Sequence, residues 1–433
     1  MKTNIFGTDG IRAHCTSDLF TPMHLEQLGN AIGAWACKKK SHPTFIIGYD
    51  TRLSSPELFA HLAQGLLKHP VTLYNAQYLP TPVVCALTKY KTEFDFGLII
   101  SASHNTYEYN GIKLCTKNSK IDLLDEEEIS TLFYTHPYTK IQHGNVYAYT
   151  EALDWYIKTV QAFFPQDCAK NLKIVVDCAH GANYCLAPLV FTHFGATIIP
   201  LNITPSGKNI NEKCGALHPE LIQEAVIKHN ADLGFAFDGD GDRIIMVDSA
   251  GKVHDGDDII HLLLQHPVYA GEKTVVGTIM SNQGLEVYIK SLHKKFYRTP
   301  VGDKHIAHYL QKYNLKLGAE PSGHVICNDF SFASDAIFVA LRLIEAMHVQ
   351  TIKTHLEKYP QANYNITIKE KKDLLCSPLK EIIATFQEKI NPGRLIVRYS
   401  GTEPVLRVTS ECKTQEQAES SIQELITALS DYL

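Results

Sequence analysis

Features typical of membrane, secreted and nucleic-acid-binding proteins are missing from this sequence. No apolar run reaches the ~18 residues that a membrane-spanning helix needs, and the N-terminal segment lacks the apolar core of a secretory signal. We therefore expect a cytoplasmic protein without a membrane partner. The formal net charge of −5 argues against general nucleic-acid binding, because such binding needs a basic surface.

Paired cysteines are missing as well. The 11 cysteines are an odd number, and none belongs to a Cys-x-x-Cys pair. Such spacings are typical of disulfide frameworks and zinc sites. The sequence therefore predicts neither, and we expect reduced thiols. At 433 residues the chain is too long for one core, so several domains of roughly 100–150 residues are expected.

The most informative stretch that is present alternates aspartate with glycine, at Asp238, Asp240 and Asp242. Alternate residues of an extended segment point to one side, and glycines let the backbone bend so that the carboxylates converge. Converging carboxylates repel each other unless a cation lies among them, and oxygen ligands suit Mg²⁺. A polar turn is the alternative interpretation. We predict a Mg²⁺ site with coordination positions left open for phosphate oxygens.

Three segments share one plan, in which a strand, a helix and a second strand precede a third strand that ends in a polar loop. The loops begin at Ser101, Asp238 and Glu320. Apolar strands that alternate with helices indicate mostly parallel sheets covered on both faces, and ligands bind beyond the carboxyl ends of such strands. We therefore predict an α/β protein with three similar domains of mixed, mostly parallel sheets around one cleft.

The pattern changes after about residue 359, where strands and helices predict a small C-terminal α+β domain. The third segment is predicted with a strand at 274–277, a helix near 284–294 and a last strand at 315–319, and the position of its second strand is not assigned. The predicted domains are 1–150, 151–250, 251–360 and 361–433.

Ser103 lies in a small polar loop that follows a buried strand. A serine hydroxyl can carry a phosphoryl group when a base and charge stabilisation are near, although serine is also a common turn residue. Lys113 offers either a base or a balancing charge. A metal held by the aspartates would stabilise the phosphoryl oxygens during transfer.

Two other stretches have side chains that suit an anion. Arg398 begins a loop between two predicted strands that also contains serine, glycine and threonine. Guanidinium, hydroxyl and backbone N–H groups together can bind phosphate, although a plain hairpin turn is the alternative. Near the N-terminus, Arg12 can also reach an anion.

Five motifs in this order resemble the α-D-phosphohexomutase superfamily across essentially the whole chain. They are FGTDGIR from Phe6, SASHN from Ser101, DGDGDR from Asp238, EPSGH from Glu320 and RYSGTEP from Arg398. NINEKCG from Asn209 and VGDK from Val301 are similar to a bacterial branch that acts on glucosamine phosphates.

The resemblance implies a heart-shaped, four-domain enzyme around one cleft that interconverts glucosamine 6-phosphate and glucosamine 1-phosphate. It implies a phosphoserine, a sugar 1,6-bisphosphate intermediate and a product that feeds UDP-N-acetylglucosamine synthesis. A phosphomannomutase or phosphoglucomutase would need the same catalytic groups. A non-catalytic sugar-phosphate-binding relative is the alternative from another class.

The resemblance also implies residue roles. Phosphorylated Ser103 with Asp238, Asp240 and Asp242 would hold one Mg²⁺ per subunit. Lys113 and Arg243 would assist proton transfer, and Arg12 and His104 would be further catalytic residues. The sugar would be held by Glu320, Ser322 and His324. The phosphate that does not react would be held by Arg398, Ser400, Gly401 and Thr402.

Overall fold

Four β-sheets with covering helices make up the protein. The computed structural model describes residues 4–7, 9–137, 143–349, 355–399, 404–430 and 432. Within these ranges, no helix has both the length and the apolar character needed to span a membrane.

The strands of the first sheet are β1 Ile11–His14, β2 Thr44–Tyr49, β3 Thr72–Tyr78, β4 Phe96–Ile100, β5 Tyr109–Thr116 and β6 Asn145–Ala148. Those of the second are β7 Lys173–Asp177, β8 Thr197–Leu201, β9 Leu233–Phe237, β10 Ile244–Asp248 and β11 Val253–His254. Those of the third are β12 Thr274–Thr278, β13 Lys295–Thr299, β14 Leu317–Ala319 and β15 Val325–Cys327. Those of the fourth are β16 Gln361–Thr367, β17 Arg394–Tyr399 and β18 Val405–Glu411.

The helices of the first half are α1 Pro22–Lys39, α2 Ser55–Leu66, α3 Thr81–Tyr90, α4 Leu123–Thr135, α5 Ala152–Gln161, α6 Asn183–His193 and α7 Glu220–His229. Those of the second half are α8 Gly256–Leu263, α9 Pro267–Ala270, α10 Gln283–Ser291, α11 Asp303–Lys312, α12 Ala336–Val349, α13 Leu379–Lys389 and α14 Gln415–Leu429.

Local sequence explains where several helices begin. Proline stands in the first turn of α1, α2 and α3, where its missing N–H costs no helical hydrogen bond. Asp255 caps α8, and its side chain accepts from the backbone N–H groups of Asp257 and Asp258. The backbone N–H of Asp255 donates in turn to Asp258 Oδ2, which completes a capping box.

The first three sheets repeat one strand arrangement. Their orders contain β3-β2-β4-β5, β8-β7-β9-β10 and β13-β12-β14-β15. In each, the first three strands are parallel and the last is antiparallel to its neighbour. The fourth sheet, β16-β18-β17, is antiparallel throughout. The predicted fold class, with three similar α/β units and a C-terminal α+β unit, is confirmed.

Two elements of the third unit were not located from the sequence. β13, the second strand that the shared plan requires, and α11 lie between α10 and β14. The burial of β13 alternates between exposed and partly buried positions, because the strand lies at the sheet edge. An edge strand lacks the continuous apolar run from which the other strands are predicted.

A shared core fixes the first three units relative to one another. One cluster of buried apolar side chains includes Ile46 in the first sheet, Phe235 in the second and Leu317 in the third. The fourth unit has a separate cluster that includes Leu406 and Leu425. The loops of the first three units are therefore positioned by one continuous packed interior.

Candidate active site

The three polar loops predicted from the sequence meet at one place. Each connects the third parallel strand of its sheet to the antiparallel strand, namely β4 to β5, β9 to β10 and β14 to β15. The Ser103 hydroxyl donates to Asp238 Oδ2 over 2.7 Å. On the other side, His324 Nε2 lies 3.1 Å from Asp242 Oδ1. The aspartate loop therefore lies between the other two.

Ser103 has an unusual backbone conformation. It is fully buried, and its φ of 53° lies in the left-handed region that residues other than glycine rarely adopt. Its N–H donates to Ser101 Oγ over 2.8 Å, and that hydroxyl donates to Asp50 Oδ2 over 2.6 Å. The loop holds Ser103 in a strained conformation that aims Oγ at the aspartates.

The aspartates form a compact group of oxygen ligands. One ligand atom from each of Asp238, Asp240 and Asp242 lies within 4.8 Å of the others. Asp238 Oδ1 accepts three backbone N–H groups, those of residues 241–243. Asp240 Oδ1 is buried and has no hydrogen-bond partner among the described residues. A buried carboxylate oxygen without a donor is the feature expected where a cation binds.

The electrostatics of this group also favour a cation. Burial, with the charges of Asp242 and Asp240, raises the pKa of Asp238 to about 7. Burial alone would raise the pKa of Asp242, but the charges of Lys113 and His324 hold it well below its usual range. Three carboxylates packed this closely do not all ionise without added positive charge.

Lys113 supplies part of that positive charge. Its buried ammonium lies 2.9 Å from Asp9, 3.0 Å from Asp240 and 3.3 Å from Asp242. Burial would lower the pKa of Lys113, but these carboxylates raise it well above the ordinary value. Of the two roles open to Lys113 from the sequence, the geometry favours charge balance, because a protonated ammonium does not accept a proton.

Of the other predicted catalytic residues, His104 contacts Ser103, and the charges of Arg243 and Arg12 act on that histidine. His104 Nδ1 lies 3.4 Å from Ser103 Oγ. Burial and the charges of Arg243 and Arg12 lower the pKa of His104 to about 3, so the imidazole is neutral. Arg12 pairs with Asp9 at 2.8 Å, while its buried Nε has no partner among the described residues. The site thus holds a guanidinium with capacity for an anion.

The predicted sugar-binding residues Glu320, Ser322 and His324 lie together in the third loop. Glu320 is 5% exposed, and its carboxylate lies 2.8 Å from His324 Nδ1 and accepts the Gly302 N–H over 2.8 Å. Ser322 is exposed, with its Oγ 3.4 Å from the same His324 nitrogen. In this conformation the carboxylate orients His324 rather than facing open space.

His324 is a charged imidazole. Burial would lower its pKa, but Asp242 and Glu320 accept from its two ring nitrogens and raise the pKa to about 10. Arg243 Nε lies 3.3 Å from His324 Nε2 and 3.8 Å from Asp238 Oδ2. Because Nε2 carries a proton, the arginine contact is a close approach of two donors, which the surrounding carboxylates compensate.

The fourth predicted site is described only in part. Ser400, Gly401 and Thr402 lie outside the described residues. Arg398 stands on β17 opposite Arg407 of β18, and burial together with the Arg407 charge lowers its pKa. Among the described residues, no hydrogen bond or ion pair joins Arg398 to the three loops.

Several residues contact the site without having been assigned a role from the sequence. Lys120 bridges Asp9 at 2.7 Å and Asp303 at 2.6 Å, and so connects the first unit to the third. Thr81 at the start of α3 donates to Asp240 Oδ2 over 2.6 Å. Asp9 and Asp303 lie in the motifs FGTDGIR and VGDK, so the sequence offered a reason to expect them at the site. Lys120 and Thr81 lie in none of the quoted motifs.

Comparisons with known proteins agree along the whole chain. Models described as phosphoglucomutase/phosphomannomutase alpha/beta/alpha domains I, II and III match residues 3–139, 154–251 and 255–363. A model of the C-terminal domain of the same family matches residues 364–428. The chain is also 38% identical over 427 residues to phosphoglucosamine mutase of Coxiella burnetii (strain CbuG_Q212), with 95% of each chain covered.

Solved structures share the fold at lower identity. A phosphoglucomutase/phosphomannomutase family protein from Burkholderia thailandensis has a TM-score of 0.84 and 20% identity, with 100% of this chain and 98% of that one covered. N-acetylphosphoglucosamine mutase of Aspergillus fumigatus, solved with GlcNAc-6P and magnesium, has a TM-score of 0.66 and 17% identity, with 98% and 95% covered.

Proposed function

The chain belongs to the phosphoglucomutase/phosphomannomutase family, and from that premise we propose that it interconverts glucosamine 6-phosphate and glucosamine 1-phosphate through phosphorylated Ser103. It is an isomerase of the phosphohexomutase type. The observation that carries the proposal is the Ser103 hydroxyl, which lies 2.7 Å from the buried aspartate group. The amino-sugar substrate is supported by the phosphoglucosamine mutase relative at 38% identity.

In the proposed reaction, the phosphoryl group of phospho-Ser103 moves to O1 of glucosamine 6-phosphate. The bond from phosphorus to Ser103 Oγ breaks as the bond to O1 forms, O1 loses its proton, and Ser103 Oγ gains one to become a hydroxyl again. The resulting 1,6-bisphosphate turns over in the cleft and returns its 6-phosphate to Ser103. Glucosamine 1-phosphate is then released, for UDP-N-acetylglucosamine synthesis.

The aspartates suit a resident Mg²⁺, one per subunit, held by Asp238, Asp240, Asp242 and the phosphate on Ser103. Bound there, the ion would neutralise charge on the phosphoryl oxygens. Carboxylate oxygens without nitrogen or sulfur ligands favour this ion class, and the Aspergillus fumigatus protein was solved with magnesium.

The remaining groups divide between charge and proton transfer. Lys113 and Arg243 hold positive charge beside the aspartates, and Arg12 presents a guanidinium to the substrate phosphate. His104 is uncharged and lies 3.4 Å from Ser103 Oγ, so of these four residues it is the one placed to hand on a proton, although its lowered pKa makes it a weak base. A loose phosphoryl-transfer transition state needs positioning and charge more than a strong base.

We assign the sugar hydroxyls to Glu320, Ser322 and His324, and the phosphate that does not react to Arg398, Ser400, Gly401 and Thr402. Glu320 would have to exchange its contact with Gly302 for one with the sugar.

The proposed domains are 1–150 for phosphoserine, 151–250 for metal, 251–360 for sugar and 361–433 for phosphate. β11 still pairs with β10, so we move the second boundary a few residues beyond 250. The cytoplasmic location stays a prediction.

Turnover of three sugar phosphates tests the proposed substrate. We expect the highest kcat/KM with glucosamine 6-phosphate and detectable activity with glucose 6-phosphate, because one substituent usually gives ~10–200-fold discrimination. Mannose 6-phosphate is the third substrate. A preference for mannose or glucose phosphate would replace the proposed substrate and leave the phosphoserine mechanism in place. No turnover of any of the three would contradict both.

A further inference from the structure

The loop that carries Ser103 is held by two side chains to which no role has been assigned above. The backbone carbonyls of Ser103 and Asn105 each accept hydrogen bonds from both side chains. Arg52 Nη2 donates to the two carbonyls over 2.9 and 2.8 Å. Asn211 Nδ2 donates to the same two carbonyls over 2.9 and 3.0 Å.

Arg52 holds the loop from within the first unit. Its side chain is fully buried and pairs with Asp50 at 2.8 Å. Nη1 donates to the carbonyls of Thr106 and Tyr109, so this guanidinium spans the loop from Ser103 to the start of β5. Removing Arg52 would leave Asp50 as an unpaired buried charge, which destabilises the fold strongly. Arg52 is therefore a poor residue with which to test loop position alone.

Asn211 reaches the loop from the second unit, between β8 and α7. It is 7% exposed, its φ is 57°, and its own N–H donates to the Ala179 carbonyl over 2.9 Å. Asparagine tolerates this left-handed conformation better than most residues. The hydrogen bond to Ala179 holds the Asn211 backbone within the second unit, and its side-chain amide reaches the Ser103 loop of the first unit.

The aspartate loop closes this arrangement. A Cβ at Gly239 would lie 2.7 Å from the Ser103 carbonyl oxygen and 2.8 Å from Asn211 Nδ2. Gly239 must therefore lack a side chain for the Ser103 loop, Asn211 and the metal loop to touch at one point. Asn211 and the Ser103 loop therefore pack directly against the loop that carries Asp238.

We propose that Asn211 is a positioning residue for phosphoryl transfer at Ser103. Its amide stabilises the left-handed backbone of Ser103, which keeps Oγ opposite Asp238 when the hydroxyl gains or loses phosphate. Strained backbone persists only where surrounding contacts determine it, and Asn211 supplies those contacts from a second unit. This role rests on the proposed function, because it concerns the same transfer step.

The test compares Asn211→Gly with Asn230→Gly in the full-length enzyme. Glycine keeps the left-handed conformation at both positions, since φ of Asn230 is 48°. Asn230 is an exposed residue at the end of α7 and has no part in the site. Only Asn211→Gly removes the two hydrogen bonds to the Ser103 loop.

We expect Asn211→Gly to lower kcat by about 10–100-fold, because small misplacements of reacting groups cost this much. KM for glucosamine 6-phosphate should change by less than about threefold, since the substrate contacts remain. Asn211→Asp should lose at least as much, because its carboxylate would face two carbonyl oxygens. The melting temperature should fall somewhat further than in the Asn230→Gly control, because two buried hydrogen bonds are lost, but the variant should stay folded at the assay temperature.

Hydrogen exchange of the amides in residues 101–107 gives a readout that needs no turnover. Without substrate, Asn211→Gly should accelerate exchange there by roughly tenfold, and Asn230→Gly should not. Unchanged exchange, or a kcat equal to that of the control, would overturn the proposal. If the wild-type enzyme did not convert glucosamine phosphates, the proposed function would fail, whereas the exchange comparison would still decide the role of Asn211.

Discussion

The loops after β4 and β14 occupy equivalent positions in two similar sheets, yet their histidines differ in charge: His104 is neutral and His324 is positively charged. Burial lowers the pKa of both imidazoles. At His104, the charges of Arg243 and Arg12 add to this effect and bring the pKa to about 3. At His324, Asp242 and Glu320 reverse it and bring the pKa to about 10. The repeated fold sets where the side chains stand, and neighbouring charges set what each can do.

The largest effect is expected from removing the serine hydroxyl that, of the two loops, only the loop after β4 uses for phosphoryl transfer. Both loops contain a serine, Ser103 and Ser322. Ser103→Ala should lower mutase turnover by about a thousandfold or more, because no covalent carrier remains. Ser322→Ala is the matched control and should lose far less, since Ser322 is exposed and its hydroxyl, among the described residues, is hydrogen-bonded to His324 alone. Steady-state kinetics and melting curves of both variants check this, and near-normal turnover of Ser103→Ala would contradict the covalent mechanism.

The next effect concerns the aspartates that both loops share. Asp240→Asn should weaken Mg²⁺ binding and lower turnover by about a hundredfold or more, because a charged ligand is lost. Asp167→Asn, at an exposed residue of the second unit, is the control. Calorimetry measures the metal affinity, and chelation followed by added Mg²⁺ tests the requirement. Full turnover after exhaustive chelation would remove the ion from the mechanism.

A smaller effect is expected when His324, in the loop after β14, loses one of the two carboxylates that contact it. Glu320→Gln removes a charge 2.8 Å from His324 Nδ1, and loss of such a supporting partner costs about 10–100-fold. Turnover should fall on glucosamine and glucose phosphates together, because the hydroxyls that Glu320 would hold are common to both. If only the glucosamine reaction were lost, Glu320 would instead recognise the amine.

The last comparison changes no residue: it measures the protonation of the two histidines directly in the metal-free protein. Nitrogen-15 NMR should show His104 uncharged and His324 doubly protonated across the range of about pH 5–8 in which free histidine titrates. Because the folded pKa of His324 is raised above 6.5, its stabilisation is complete below that value and is lost as pH rises through about 10. Because the folded pKa of His104 is lowered, that residue destabilises the fold as pH falls from 6.5 towards about 3. Two histidines that titrated together would contradict the charge assignment.

Features of the fold and the site that depend on residues close together in the chain could be predicted from the sequence. Apolar strands followed by polar loops located the ends of β4, β9 and β14, and alternating aspartates located the group that a metal would join. These features depend on neighbours along the chain, so periodicity and turn residues reveal them.

Contacts made across the fold could not be predicted in this way. Lys120 joins Asp9 to Asp303 through space, and nothing in its local sequence distinguishes it from other lysines. The inward turn of Glu320 towards His324 depends on a side-chain rotamer and on the neighbouring Asp242. The quoted stretch from Asn209 to Gly215 indicated a branch of the superfamily but not that Asn211 reaches Ser103.

The central claim is that Ser103 carries the phosphoryl group that reaches the sugar. Mass spectrometry of the intact native enzyme, with peptide mapping before and after brief mixing with glucosamine 6-phosphate, tests it directly. We predict one phosphate that maps to Ser103, leaves the protein on mixing and appears in the sugar 1,6-bisphosphate. A phosphate that maps elsewhere, or one that stays on Ser103 while product forms, would contradict the account.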